Sequence, residues 1–277
     1  GDSFFNNKDL IFLSFVTITF YYYLKLVDNF NLKNIFFFSI FTSITCALRI
    51  VGVFIPISFF SIFLIKNKLD KNKIFYLLIY LSFFIIFLIF CWPYLWSSPL
   101  KNFYQAFTMF SEYDDQIVQM LFKGNYIFSN YLPISYLPTW IFITSPIISI
   151  ILFLIGYLFL FKRFFIRLVG IDKNNNSNDF WRGKNEEKDF IIFLNFSLVF
   201  FYIILFSPIL YTGWRHLYFL HIFLTYFCTV ALYLIDIKFK KKIIFAAISL
   251  IIFVNFYEIK KFHPFQSLYF NQLIKQD

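Results

Sequence analysis

The chain has 277 residues, of which 60% are hydrophobic and only 14% charged, with a mean hydropathy of +0.70. Soluble domains carry about 25% charged residues, so this balance excludes the soluble class and implies an integral membrane protein. The formal net charge is +10, a value that takes its meaning from where the Lys and Arg residues fall along the chain.

A bilayer core of about 30 Å needs about 20 apolar residues per helix. The chain begins at Gly1 with no initiator Met, no basic n-region and no cleavage pattern, and it reads as a fragment. The first candidate span is Leu10 to Val27. The run Asn34 to Ile65 is too long for one span, and Arg49, Gly52 and Pro56 interrupt it near its middle, which predicts two short helices, Asn34 to Leu48 and Ile50 to Ile65. Arg49 is costly inside a bilayer. It either marks a site for an anionic ligand or snorkels from a short helix to the interface. A further span is Ile74 to Trp92.

The loop 93 to 139 then breaks the apolar pattern with Trp, Tyr, Pro and acidic residues. Loops beyond about 12 to 15 residues are usually functional or disordered, and the aromatic content argues for a folded extracytoplasmic cap. Within it, Ser98-Pro99 forms a helix start, and Phe103, Phe107, Phe110, Ile117 and Leu121 recur at helical spacing. This predicts an amphipathic helix that either lies along the membrane surface or walls a substrate groove. Glu112, Asp114 and Asp115 form an acidic cluster. Asp114 and Asp115 are weak candidates for a catalytic carboxylate, and a solvated helix face accounts for them equally well.

The remaining spans are Trp140 to Phe161, Phe190 to Tyr211, Leu217 to Ile235 and Ile243 to Tyr257. The segment 162 to 189, with its Asn-rich piece, reads as a flexible cytoplasmic linker. The fold class is therefore all-α, a polytopic bundle of about eight transmembrane segments making one transmembrane domain over 1 to 277.

With eight spans, the basic segments Asn67 to Lys73, Lys162 to Asp189 and Lys238 to Lys242 share one face. Counting Lys25, Lys33 and Lys66 with them, that face holds 17 of the 25 basic residues and 8 of the 15 acidic ones. By the excess of Lys and Arg in cytoplasmic loops it is the cytoplasmic side. The net charge is thus a sidedness signal with affinity for membrane lipids, and no nucleic-acid partner is expected. The cap loop, Arg49, the Gly213-Trp214-Arg215-His216 turn and the tail from Glu258 lie on the opposite face. Arg suits bidentate phosphate recognition, so Arg215 is the leading anion contact, with an aromatic interfacial anchor as the alternative reading of the turn. His216, His221 and His263 lack metal-ligand spacing, as do Cys46, Cys91 and Cys228. No metal and no cofactor are expected.

Several motifs occur in a telling order: Ser3-Phe4-Phe5-Asn6-Asn7-Lys8-Asp9, Arg49-Ile50-Val51-Gly52, Trp92-Pro93-Tyr94-Leu95-Trp96, Tyr136-Leu137-Pro138-Thr139-Trp140, Gly213-Trp214-Arg215-His216, and His263-Pro264-Phe265-Gln266 with Tyr269-Phe270-Asn271. The arrangement resembles bacterial membrane glycosyltransferases of family 39 type, relatives of the protein O-mannosyltransferases with the GT-C fold. The resemblance implies an enzyme of the inner membrane and cell envelope that moves a sugar from a polyprenyl-phosphate donor to a lipid, glycan or protein acceptor on the extracytoplasmic face. It implies that this chain is the C-terminal portion, with the catalytic acid upstream of Gly1. It makes Arg49, Tyr94, Trp214, Arg215, His216, His263 and Tyr269 the substrate-binding candidates. The chain departs from the pattern at Asn7 in place of Pro, His221 in place of Tyr and Phe265 in place of Tyr. A membrane transporter or lipid flippase is the alternative, and a non-catalytic assembly subunit a third reading.

Overall fold

The computed structural model describes residues 7–66, 71–112, 117–169, 180–210, 215–238, 241–263, 269–271 and 273. Its helices are α1 (Asn7–Asp28), α2 (Leu32–Leu48), α3 (Phe54–Lys66), α4 (Lys71–Cys91), α5 (Pro99–Glu112), α6 (Tyr136–Thr144), α7 (Ile147–Val169), α8 (Lys184–Phe206), α9 (His221–Lys238) and α10 (Lys241–Lys261). Short 3-10 turns occupy Ile50–Val53, Pro93–Leu95 and Arg215–Leu220, and one hairpin joins β1 (Gln119–Phe122) to β2 (Asn125–Phe128).

The protein is all-α apart from that hairpin. Among the described residues, five helices are long and apolar enough to cross a membrane: Lys8–Asp28, Lys73–Cys91, Ile147–Val169, Lys184–Phe206 and His216–Ile237. Leu32–Leu48 and Ile50–Lys66 are shorter apolar helices. The outward side of α4 shows why water is the wrong solvent: Phe75, Leu78, Ile85, Ile86 and Phe90 are all more than half exposed. Such a continuous apolar stripe belongs against lipid.

The packing of α2 follows from its small polar residues. Ser39, Thr42, Ser43 and Thr45 are fully buried, and each returns its hydroxyl to a carbonyl one turn earlier on α2. Three of them also reach across. Ser43 donates to the Phe84 carbonyl of α4 at 2.9 Å, Ser39 approaches the Tyr80 carbonyl at 3.5 Å, and Thr45 meets Thr19 of α1 at 2.9 Å. In lipid, small residues of this kind let helix backbones approach and supply hydrogen bonds across the contact. The same logic closes α7 onto α9. A Cβ at Gly156 would lie 2.0 Å from the Phe227 carbonyl oxygen, so only glycine permits that approach.

The helix ends explain themselves locally. Asn31 caps α2 through its side chain, accepting from the Asn34 N–H at 2.9 Å. Arg49 ends α2 in extended backbone, and Gly52 sits where a Cβ would stand 3.0 Å from the Thr45 and Cys46 backbone. The interruption expected around Arg49, Gly52 and Pro56 is therefore present, with α3 beginning at Phe54.

Three expectations need correction. The span expected over Trp140 to Phe161 is broken: α6 ends at Thr144, Ser145 is extended, and α7 starts after Pro146. Proline removes an N–H and pushes its predecessor out of the helical region. The helical spacing drawn through Ile117 and Leu121 also fails. Leu121 lies in β1, whose hairpin turns on Lys123 and Gly124, both with positive φ, as a two-residue turn matching strand twist requires. The linker expected over 162 to 189 is shorter, because α7 runs on to Val169 and α8 begins at Lys184.

Candidate functional site

Ion pairs and hydrogen bonds sort the helix ends into two groups. At one, the first two turns of α8 are tied to four other helices. Glu186 takes both guanidinium nitrogens of Arg167, at 2.6 and 3.0 Å, and Glu187 takes Lys66 with both oxygens, at 2.6 and 2.9 Å. Lys188 pairs with Asp28 at 2.7 Å, while Lys184 donates to the Asp28 carbonyl. Asp189 binds Arg163 at 2.6 Å and accepts from the Tyr226 hydroxyl at 2.7 Å. This basic end is occupied with holding α1, α3, α7, α8 and α9 together.

The opposite end carries the sequence candidates. Arg49 forms an ion pair with Asp9, whose side chain is 2% exposed, and donates to the His216 carbonyl at 3.1 Å. Its guanidinium also lies 5.6 Å from the Phe12 ring, and Phe12 packs edge-on against Phe219. The structure therefore joins Arg49 and His216, two of the sequence candidates. It also gives Arg49 an acidic partner on α1, so this guanidinium is committed to bridging α1, the end of α2 and the 215–220 turn. Asp9 was legible only as one letter of a motif. Its pairing with a residue forty positions later leaves no trace in local pattern.

A groove opens at the same end between α7, α9, α10 and the tail. One lobe of about 490 Å³ is lined by Pro146, Ile147, Val254, Glu258, Lys261 and Tyr269. A second, of about 430 Å³, shares Pro146, Glu258 and Tyr269 with it and adds Ser149 and Asn255. A third, of about 220 Å³, runs from Pro146 and Ser149 to His221 and Cys228. The helix break at Pro146 shapes all three. Its freed carbonyls are taken by the tail: Asn271 donates from its side chain to Phe142 at 2.5 Å and to Ser145 at 2.7 Å, and from its backbone to Ile143 at 2.8 Å. Asn271 is buried. The tail thus fastens across the groove, with Phe270 beside Trp140 and Tyr269 edge-on to Phe262. Burial, and then the Glu258 carboxylate, raise the Tyr269 phenol above its ordinary value, so it remains a neutral hydrogen-bond donor.

The other candidates are dispersed. Tyr94 is exposed on the cap, where its hydroxyl donates to Gln105 at 3.2 Å and its carbonyl accepts from Asn102. His263 lies in the turn after α10. Trp214, Asp114 and Asp115 fall outside the described residues, and of Arg215 the backbone alone is described, opening the 3-10 turn. Among the described residues no cluster of three His, Cys, Asp or Glu side chains suits a metal ion. Sequence reasoning passed over Asn271, Glu258 and the groove role of His221. The signal for Asn271 was its place in the aromatic Tyr269-Phe270-Asn271 motif of the tail.

No protein family, no curated protein and no solved structure matches this chain. The chemistry must be argued from the groove. Its walls are apolar and aromatic, and its polar groups, Glu258, Lys261, Asn255 and Tyr269, gather where α10 ends. Apolar walls with a few convergent polar groups are the general make-up of ligand pockets.

Proposed function

We propose that this chain belongs to a membrane glycosyltransferase of GT-C type, which passes a sugar from a polyprenyl-phosphate donor to an extracytoplasmic acceptor. In this reading eight segments cross the bilayer, the end bearing Arg49 and the cap loop faces outward, and α5 lies along the membrane surface. The observation that carries the proposal is the groove under the Asn271 clamp, whose apolar walls suit a prenyl chain and whose polar rim suits a sugar. Departure of a lipid phosphate needs positive charge in a site shielded from water. With Arg49 paired to Asp9, that role passes to Arg215 and to Lys261 at the groove.

The test is transfer from a fluorescent polyprenyl-phosphate sugar by the intact protein in membranes. Arg215→Ala and Tyr269→Ala are each expected to lower turnover by at least about tenfold, the scale of a lost transition-state contact. Unchanged turnover in both sinks the proposal. Flux of the lipid across vesicles without sugar transfer would instead establish the transporter or flippase reading.

A further inference from the structure

A separate cavity lies at the basic end, at the opposite end of α4 from the cap loop. It holds about 130 Å³ between α1, α3 and α8. Its floor is formed by Tyr23, Phe59 and Ile62, all at most 5% exposed, and its rim by Lys66, Lys73 and Glu187. Lys66, Lys73 and Phe30 are the exposed part of this lining, and all three rim residues sit at helix termini: the last residue of α3, the first turn of α4 and the first turn of α8.

The charges of the rim do not cancel. Glu187 is nearly buried and spends both carboxylate oxygens on Lys66. Lys73 then adds a second cation at the N-terminus of α4, a helix of 21 residues whose dipole also favours an anion there. Behind this positive rim the slot is apolar and aromatic. A narrow oily slot beneath a cationic rim, at the end of a bundle where the bilayer surface lies, has the chemistry of a bound anionic phospholipid.

We propose that this cavity is a structural site for an anionic phospholipid, its phosphate held between Lys66 and Lys73 and one acyl chain inserted between α1 and α3. The lipid wedges the three helices whose ends meet there, apart from the groove and independently of whether sugar transfer occurs. Juxtamembrane lysines near a membrane surface each strengthen binding of anionic lipid roughly fivefold.

Native mass spectrometry of the intact protein, released from nanodiscs of mixed phosphatidylglycerol and phosphatidylcholine, tests this. The expected result is one retained phosphatidylglycerol, preferred over phosphatidylcholine, with inorganic phosphate failing to displace it. Lys73→Ala is expected to lower that preference roughly fivefold while leaving the Lys66–Glu187 pair in place. Val27→Phe, which narrows the slot and keeps the lysines, is expected to abolish retention, and circular dichroism and monodispersity report that each variant is folded. Equal retention of both lipids overturns the proposal, as does a preference that survives in folded Lys73→Ala and Val27→Phe, which would assign it to the basic loops at large. Displacement by phosphate alone would likewise overturn the lipid assignment.

Discussion

Arg49 shows how one side chain can be read two ways until its partner is known. From sequence it was either an anion contact or an interfacial snorkel; its salt bridge to the buried Asp9 and its bond to the His216 carbonyl make it a joint between three segments. Removing one member of a buried ion pair costs on the order of 3 to 5 kcal/mol, because the other is left uncompensated. Arg49→Ala is therefore expected to lower the unfolding temperature sharply in detergent, and Asp9→Asn combined with Arg49→Gln to recover most of the loss. A double variant no better than Arg49→Ala would show that Asp9 is not the reason. Asn271 is the second residue of this kind. Its substitution by Ala removes a part-buried side-chain hydrogen bond to Phe142 and a buried one to Ser145, and a buried acceptor left unpaired costs about 1 to 3 kcal/mol. Hydrogen exchange at residues 142–150 is expected to accelerate in Asn271→Ala while that of α1 and α2 stays unchanged. Neither role was visible beforehand, since both depend on contacts between residues distant in sequence.

Helices were the most legible part of this chain, because apolar runs between basic clusters leave little choice of secondary structure in lipid. α1, α2, α3, α4, α8, α9 and α10 all fall on the runs that hydropathy marks. The failures have specific causes. Across Pro146 the count of apolar residues overrode the proline, although Pro146 divides α6 from α7. In the cap, the abundance of Phe and Ile gives helical spacing by chance across the turn at Lys123 and Gly124. Glycine 156 is the inverse case: a single residue inside a uniform apolar run sets how closely α7 and α9 meet. Gly156→Leu is expected to destabilise the protein by about 1 to 3 kcal/mol, as overpacking does, and to increase the reactivity of Cys228, which now donates to the Ser149 carbonyl across that contact. Ser43→Ala, at the α2 to α4 contact, is expected to cost only about 0.6 kcal/mol. Thermal unfolding in detergent separates the two magnitudes.

At the scale of the molecule, the two ends of the bundle are chemically different, and cysteine labelling measures their sidedness. A cysteine at Tyr126 of the hairpin is expected to react with an impermeant maleimide in intact cells, and one at Lys73 only after permeabilisation, read against the background of the native thiols. Labelling of both from one side would break the proposed eight-segment topology, and exchanged reactivities would reverse it. Charge separates the two ends of the bundle in the sequence, whereas the groove depends on a tail that returns to a helix break and so was not legible there. The first two turns of α8 are made late in synthesis. Asp28, Lys66, Arg163 and Arg167 all wait on partners between Lys184 and Asp189, so the earlier helices enter the bilayer before the residues that lock them exist. A nascent chain halted at Val169 holds four unmatched charges at the membrane surface, and it is expected to remain bound to insertion chaperones or be degraded. One extended past α8 can form all four pairs and is expected to resist degradation.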